Sequence, residues 1–193
     1  MKKSLSEMSL QELWELFPIR LTAYQQCWKG WFEQEREALT GSLQETGLVR
    51  LSHIGSTAVA GIWAKPIIDI LAEFNAAGET ERIQAALKAN GYRCMSRGSG
   101  RASFNKGYTE EGFAERVFHL HVRPAGDCDE LYFRDYLQAH PAAAKEYERL
   151  KLSLWRDFEH DRDGYTDAKA DFVREYTEKA KLAYPGRYAY KAD

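Results

Sequence analysis

The chain has 193 residues, 44% of them hydrophobic and 13% aromatic, and its 27 Lys and Arg nearly balance its 29 Asp and Glu. This composition excludes an intrinsically disordered chain, and the formal net charge of −2 excludes a protein that binds long duplex DNA with its whole surface. The length predicts a single domain over residues 1–193, with residues 1–15 and 185–193 at its periphery. No apolar run approaches the roughly 18 residues that cross a bilayer, which predicts a cytoplasmic protein without a membrane partner.

The first third of the chain combines helical and strand patterns. Apolar residues at three- and four-residue steps predict a short helix that ends near Pro18 and an amphipathic helix of about 20 residues that runs to Gly41. Residues 49–54 alternate as a strand does. Residues 66–74 form a nearly continuous β-branched run, which predicts a central strand covered on both faces, with Asp69 as an unusual carboxylate inside it.

The middle of the chain predicts one helix and further extended segments. Residues 79–90 have helical apolar spacing and close on Gly91, a common helix stop. Residues 91–106 favour two extended stretches around a Gly-Ser-Gly bend, and residues 109–115 are typical of an acidic loop. Residues 116–122 then predict the next strand.

Side chains alternate along this last strand, so His119 and His121 share one face while Phe118, Leu120 and Val122 share the other. Helices are predicted over residues 131–139, 141–160 and 167–184, with residues 161–164 separating the last two. We expect these helices to pack on the sheet rather than to form a domain of their own. The pattern therefore predicts an α+β fold, a mixed sheet flanked by helices, with the N-terminal and C-terminal helices packed on it.

A turn of small residues follows the first strand. Gly55-Ser56-Thr57 exposes backbone N–H groups and two hydroxyls, which suit the oxygens of a phosphate group. Asp69 follows in an apolar strand, where an isolated carboxylate is costly unless a metal, a cation or hydrogen-bond donors lie nearby. The alternative is an ordinary turn, with Asp69 capping a neighbouring helix or pairing with Lys65.

Five motifs occur together in this chain. Residues 53–61 are H-I-G-S-T-A-V-A-G, and residues 65–70 are K-P-I-I-D-I. The later motifs are H-L-H-V at 119–122, F-R-D-x-L-x-x-H-P at 133–141 and Y-x-x-A-K at 165–169. Over about residues 20–180 the chain thus resembles the GrpB (UPF0157) proteins, an uncharacterised family of the nucleotidyltransferase superfamily. Ala60 stands where the family's first motif usually has proline.

The resemblance implies a nucleotidyltransferase-like fold, in which the Gly-Ser turn leads into a helix N-terminus and holds the phosphates of a nucleotide. In active members of that superfamily an acid-x-acid pair and a third strand carboxylate bind two Mg²⁺ ions. These ions stabilise the attacking and leaving oxygens of the transfer. This chain has Asp69-Ile70-Leu71, so it departs from the two-metal pattern at Leu71.

Asp69, His119 and His121 are accordingly the candidate catalytic and metal-binding residues. Asp69 would bind Mg²⁺ or Mn²⁺. The two histidines would complete an Asp/His/His site for a transition metal, contact the substrate, act as a base or form a structural pair. The candidate phosphate or nucleotide ligands are Gly55, Ser56, Thr57, Lys65, Lys106 and Arg134.

Several nearby residues have competing interpretations. Arg134 is equally consistent with an ion pair to the adjacent Asp135. His53 is expected to hold the Gly-Ser turn rather than act as a base. Glu73 shares a strand face with Asp69, but four residues along a strand is roughly 13 Å, too far to share one metal. Lys169 is expected on a solvated helix face, with a phosphate contact as the alternative.

Three functions follow from these residues. The first is metal-dependent transfer of a nucleoside monophosphate to a small molecule, a protein or an RNA end, the last because basic residues concentrate between residues 93 and 106. The second is a non-catalytic module that binds a nucleotide or another phosphorylated small molecule and has lost the second metal carboxylate. The third is phosphotransfer or hydrolysis at an Asp/His/His metal site.

Overall fold

A computed structural model describes residues 3–75 and 80–190. Helices α1 to α7 cover Leu10–Leu16, Cys27–Ser42, Thr80–Ala89, Asp129–Ala139, Pro141–Asp157, Arg162–Asp167 and Ala170–Ala183. Strands β1 to β5 cover Leu48–Ile54, Ile68–Phe74, Arg93–Gly98, Arg101–Thr109 and Gly112–Pro124, and short 3₁₀ turns lie at Leu5–Glu7 and Ser56–Ala58. Within these described ranges, no helix combines the length and the apolar character that a membrane span needs.

The strands of the described residues form one mixed sheet in the order β1-β2-β5-β4-β3. The β2–β5 pair is parallel, and the other neighbouring strands are antiparallel. Parallel neighbours need a crossover connection, which α3 and the β3–β4 hairpin supply here. The resulting register places Asp69 of β2 opposite His119 of β5.

The two faces of the sheet have different surroundings. On one face, β2 contributes four residues to the largest buried core with α2 and α3: Ile68, Ile70, Ala72 and Phe74. On the other face, Leu71 packs with Leu131 of α4 and Ala180 of α7. Asp69 points to the same face as Leu71 because side chains alternate along a strand. Near Asp69 this face opens onto a cavity.

The predicted α+β class, a mixed sheet flanked by helices, is confirmed. Residues 49–54, 66–74 and 116–122 correspond to β1, β2 and β5, and the predicted bend lies between β3 and β4. The helix predicted over residues 79–90 corresponds to α3, although Glu79 lies outside the described residues.

The second predicted helix begins later than its apolar spacing indicates. Thr22 pairs with Ala64 through two backbone hydrogen bonds of 2.9 and 3.0 Å, and the N–H of Ile19 donates to the carbonyl of Glu159 at 2.8 Å. These long-range partners hold the chain extended after Pro18, so α2 starts only at Cys27.

Two predicted loops are wrong. The acidic loop over 109–115 is a tight turn followed by strand, because the Thr109 hydroxyl donates to the Gly112 carbonyl at 2.9 Å and β5 begins there. The separator over 161–164 begins helix α6. The side chain of Asp161 accepts from the N–H of Gly164 at 2.8 Å and so caps that helix.

Candidate functional site

A cavity of about 810 Å³ lies on the face of the sheet that carries Asp69. Its walls come from strands β2 to β5, the turn after β1, helices α5 and α6, and the segment from Leu5 to Phe17. The structure thereby brings together most of the residues that the sequence singled out. Those that line the cavity are Gly55, Ser56, Thr57, Lys65, Asp69, Lys106, His119 and His121.

Asp69, His119 and His121 converge on one point. The Oδ1 atom of Asp69 lies 3.3 Å from Nδ1 of His119 and 3.7 Å from Nε2 of His121. Burial alone would raise the pKa of the Asp69 carboxyl, but hydrogen bonds from His119 and His121 hold that pKa well below its usual range. Asp69 is therefore an ionised carboxylate at neutral pH.

His119 has both ring nitrogens engaged. Its Nε2 lies 2.8 Å from the hydroxyl oxygen of Tyr108, and Arg162 donates to that same oxygen at 2.9 Å. Because Tyr108 accepts from Arg162, we assign its own proton to the bond with Nε2, which leaves the imidazole proton on Nδ1 facing Asp69. Burial lowers the pKa of His119, in keeping with a neutral ring.

Gly55 allows the turn after β1 to approach Asp69 closely. Its φ of 69° and ψ of −172° define a backbone conformation that is essentially restricted to glycine. A Cβ atom at this position would lie 2.3 Å from Oδ2 of Asp69. The glycine of the turn and the aspartate of the strand therefore depend on each other, which gives a physical reason for their joint presence in the sequence.

Thr57 and His53 hold the turn from inside the fold. The Thr57 hydroxyl donates to the carbonyl of Ile67 at 3.1 Å, so it accepts from Nε2 of His53 at 3.0 Å. The ring of His53 stacks on Phe32 with centroids 4.8 Å apart. The hydroxyl of Thr57 is thus committed to the protein, whereas the hydroxyl of Ser56 lies at the cavity, where it shares a hydrogen bond with the hydroxyl of Tyr147.

His53 should make the stability of the protein sensitive to acid. Burial lowers the pKa of His53 to about 4, and the charge of Arg134 acts in the same direction. Histidine in the unfolded chain titrates near 6.5, so the unfolded state binds more protons between these two pH values. The free energy of unfolding should therefore fall by about 2 kcal/mol as the pH drops from 7 to 4.5.

Urea unfolding at pH 7 and pH 4.5 measures this difference. His53→Gln should lose the contribution of His53 to the pH dependence, whereas His140→Gln, which removes an exposed histidine, should retain it. An unchanged pH dependence in His53→Gln would contradict the assignment.

Five cations line the cavity without an ion pair to any carboxylate of the described residues: the exposed Arg93 and the more buried Lys65, Lys151, Arg162 and Lys169. Burial, followed by repulsion from neighbouring cations, lowers the pKa of Lys65 and of Lys151 to about 7. Burial lowers the pKa of Lys169 to about 8. Since Asp69 and Asp163 are the acids that line the cavity among the described residues, its lining is net positive.

Tyr165 lies beside two of these cations, Lys65 and Lys169. Its side chain is fully buried, and the ammonium groups of Lys65 and Lys169 lie 5.0 and 4.2 Å from its ring centroid. Its hydroxyl has no hydrogen-bond partner among residues 3–75 and 80–190. Buried polar groups are usually hydrogen-bonded, so Tyr165 provides an unused donor beside two unpaired lysines that line the same cavity.

Two predicted phosphate ligands are paired inside the fold. Lys106 lines the cavity, but its ammonium lies 2.8 and 2.9 Å from the two carboxylate oxygens of Glu35. The cavity lining does not include Arg134, which donates to Asp135 and, at 2.9 Å, to the carbonyl of His53. The structural ion pair is therefore the arrangement found for Arg134.

Other charged candidates also have protein partners. Glu73 is fully buried and accepts from Arg50 at 2.6 Å, which keeps it away from Asp69. In the basic β3–β4 hairpin, Arg97 donates to a side-chain amide of α3 and Arg101 makes two bonds of 2.7 Å to Asp127. Asp127 thus neutralises the charge of Arg101, whereas the neutral amide partner leaves the charge of Arg97 in place.

Sequence reasoning missed Tyr108, Lys151 and Arg162. Lys151 did carry a signal, because it follows Ala144 and Tyr147 at steps of three and four residues on the buried stripe of α5. A lysine on an apolar stripe indicates either a structural pair or a functional charge. Tyr108 and Arg162 carried no comparable signal, since their roles depend on a contact between residues far apart in the chain.

The donor groups around Asp69 suit one divalent cation held by a single carboxylate. They do not suit a metal site whose ligands all come from the protein. In the described part of the chain, no group of three or more His, Cys, Asp or Glu side chains is arranged to hold a metal ion. His119 would have to release Tyr108 or Asp69 to become a ligand. A single carboxylate together with substrate phosphate oxygens is a donor set that Mg²⁺ commonly uses, so Mg²⁺ or Mn²⁺ at Asp69 stays a prediction.

Known proteins resemble this chain over most of its length. The family model described as GrpB protein matches residues 18–179. The chain is 32% identical over 186 residues to the UPF0157 protein YqkA of Bacillus subtilis, an alignment that covers 92% of this chain and 52% of that protein. This chain thus spans about half the length of that relative.

Two further relatives match almost along their full length. The glutamate-rich protein GrpB of Alkalihalophilus pseudofirmus is 36% identical over 163 residues, which covers 81% of this chain and 92% of that protein. The crystal structure of the conserved protein GrpB from Enterococcus faecalis is 32% identical, with a TM-score of 0.72 over 86% of this chain and 99% of that one. The family suggested by the motifs is confirmed: this chain belongs to the GrpB family.

Proposed function

We propose that this protein binds a nucleotide through its phosphates in the cavity at Asp69 and transfers the nucleoside monophosphate to an acceptor. The observation that carries the proposal is the lining of that cavity by Lys65, Lys151, Arg162 and Lys169, none of which has an ion pair within the described residues. Phosphate oxygens would accept hydrogen bonds from these groups and offset their mutual repulsion.

Asp69 and His121 supply groups for the transfer step. Asp69 would hold one divalent cation, Mg²⁺ or Mn²⁺, which when bound neutralises charge on the transferred phosphoryl group. His121, 3.7 Å from Asp69, would accept the proton of the acceptor hydroxyl. In this role His121 acts as general base, while the paired His119 positions Asp69.

The reaction is a displacement at the α-phosphorus. The acceptor oxygen forms a bond to that phosphorus, the bond from phosphorus to the bridging oxygen breaks, and pyrophosphate leaves. Leu71 is fully buried among α4 and α7 residues and supplies no second carboxylate. Lys65 and Lys169 would therefore neutralise part of the charge on pyrophosphate that a second cation would otherwise neutralise.

Binding without transfer is the second candidate function, and Leu71 is the observation that favours it. Both functions predict that nucleotides bind at the lysines. Only the first predicts a product whose formation depends on Asp69.

The test combines binding with label transfer. The wild-type protein is incubated with each α-labelled nucleoside triphosphate, Mg²⁺ or Mn²⁺, and a cell extract as the source of acceptors. We expect Asp69→Asn to lower label transfer by about 100-fold or more while it retains nucleotide binding, because the lysines remain. Asp171→Asn is the matched control, since Asp171 is an exposed carboxylate outside the cavity lining.

Each outcome selects between the functions. Nucleotide binding with no Asp69-dependent transfer would support the binding module and reject the transferase. A wild-type protein that binds none of the triphosphates would reject both functions.

A further inference from the structure

The N-terminal segment from Leu5 to Phe17 forms an apolar part of the cavity. Its apolar residues that line the cavity are Leu5, Leu10, Leu13, Trp14 and Phe17. Neither the 3₁₀ turn at Leu5–Glu7 nor helix α1 contains a buried residue, and Leu10 is 56% exposed. Apart from Phe17, these side chains are therefore arranged around the cavity without being enclosed by the protein core.

This apolar part is anchored to the rest of the site. Phe17 is buried, and the centroids of the Phe17 and Tyr108 rings lie 4.7 Å apart. Tyr108 in turn contacts His119, so the C-terminal end of the segment is joined to the Asp69 cluster. The ring of His160 also contacts the carbonyl of Trp14 at 3.4 Å. The segment is held in place where it meets the cluster.

The cavity thus combines two kinds of lining. One group consists of unpaired cations clustered near Tyr165, and the other consists of aliphatic and aromatic side chains from a segment that precedes the family match at residue 18. A ligand that satisfies both must join an anionic group to a flat or apolar one. Inorganic phosphates and small sugar phosphates satisfy only the first group.

We infer that Trp14 and its leucine neighbours on α1 bind the base of the nucleotide whose phosphates contact the lysines, and so determine which phosphorylated ligand is preferred. This inference rests on the proposed function. Stacking of a base on an aromatic side chain is tolerant of base identity, because every base has a π-face. The segment should therefore select nucleotides over inorganic polyphosphates more strongly than it selects one base over another.

Isothermal titration with the four nucleoside triphosphates and with inorganic tripolyphosphate tests this inference. We expect wild-type protein to bind the best triphosphate about 5- to 100-fold more tightly than tripolyphosphate. Trp14→Ala should remove most of that difference by weakening nucleotide binding, while tripolyphosphate binding stays unchanged. Trp63→Ala is the control, because Trp63 is 38% exposed and lies outside the cavity lining.

Trp14 also lines a smaller pocket with Gln11, Glu15 and His160, so Trp14→Ala could disturb α1 itself. A second variant on α1 therefore tests the same inference. Leu10→Ser changes an exposed side chain and should weaken nucleotide binding selectively, whereas Leu182→Ser, at a residue that is 83% exposed, should not.

These measurements distinguish binding of the base at α1 from binding of phosphate at the lysines. Tripolyphosphate that binds as tightly as the best nucleotide, or α1 variants that weaken both ligands equally, would overturn the inference and leave the phosphate site intact. Absence of binding by tripolyphosphate and by every nucleotide would overturn the proposed function and the inference with it.

Discussion

Lys65→Met is expected to stabilise the unliganded protein and to impair its binding of nucleotides. Lys65 lies in the cavity without an ion pair in the described residues, and burial with neighbouring cations lowers its pKa to about 7. Methionine keeps the apolar stem and removes the charge, so the free energy of unfolding should rise by about 1–3 kcal/mol at pH 6. Loss of one charged hydrogen bond to phosphate should weaken nucleotide binding by roughly 10- to 100-fold.

The stabilisation that Lys65→Met gives relative to wild type should decrease as the pH rises above 7. Below pH 7 Lys65 is charged in both the folded and the unfolded protein, and the cost of burying the charge is fully present. Between pH 7 and about 10.4 the folded protein releases this proton while the unfolded chain keeps it, so wild-type protein gains stability relative to Lys65→Met.

Thermal and urea unfolding at pH 6 and pH 9, with calorimetric binding of ATP, measure both effects. Lys29→Met removes an exposed lysine of α2 and serves as the control. A Lys65→Met protein that is less stable than wild type at pH 6 would show that the Lys65 charge stabilises the fold. One that binds ATP as tightly as wild type would show that Lys65 does not contact the phosphates.

Gly55→Ala is expected to destabilise the protein by about 2–4 kcal/mol and to disturb the Asp69 cluster. The backbone at Gly55 has a conformation that costs a non-glycine residue on the order of 1–3 kcal/mol. The new Cβ would in addition lie 2.3 Å from Oδ2 of Asp69, so the carboxylate or the turn must move. Either movement changes the 3.3 Å contact between Asp69 and His119.

Gly61→Ala is the matched control for this prediction. Gly61 has a φ of 78°, but an added Cβ there meets nothing within 4 Å. Its substitution should therefore carry the backbone cost alone, about 1 kcal/mol. Chemical denaturation measures the loss of stability in both variants. Equal losses would mean that contact with Asp69 is not the reason that residue 55 must be glycine.

Local sequence patterns predicted the strands and most helices well. Alternation placed His119 and His121 on one face of β5, and the β-branched run around Asp69 predicted an interior strand. The same patterns failed where distant partners decide the backbone. Thr22 is extended because Ala64 pairs with it, so α2 begins only at Cys27. The helix that begins after Asp161 was missed although its signal is local, since the Asp161 side chain accepts from the N–H of Gly164 three residues along the chain.

The sequence by itself determined the family, the fold class and the faces on which Asp69 and the two histidines lie, because strand periodicity and the spacing within motifs are local properties of the chain. Only the tertiary structure decided that β2 and β5 are parallel neighbours, so that Asp69 meets His119. It also decided which charges are paired: Lys106 meets Glu35 across the core, whereas Lys65 and Lys169 face the cavity beside Tyr165. The physical reason is that pairing and burial of a charge depend on contacts between residues distant in sequence, which no local pattern records.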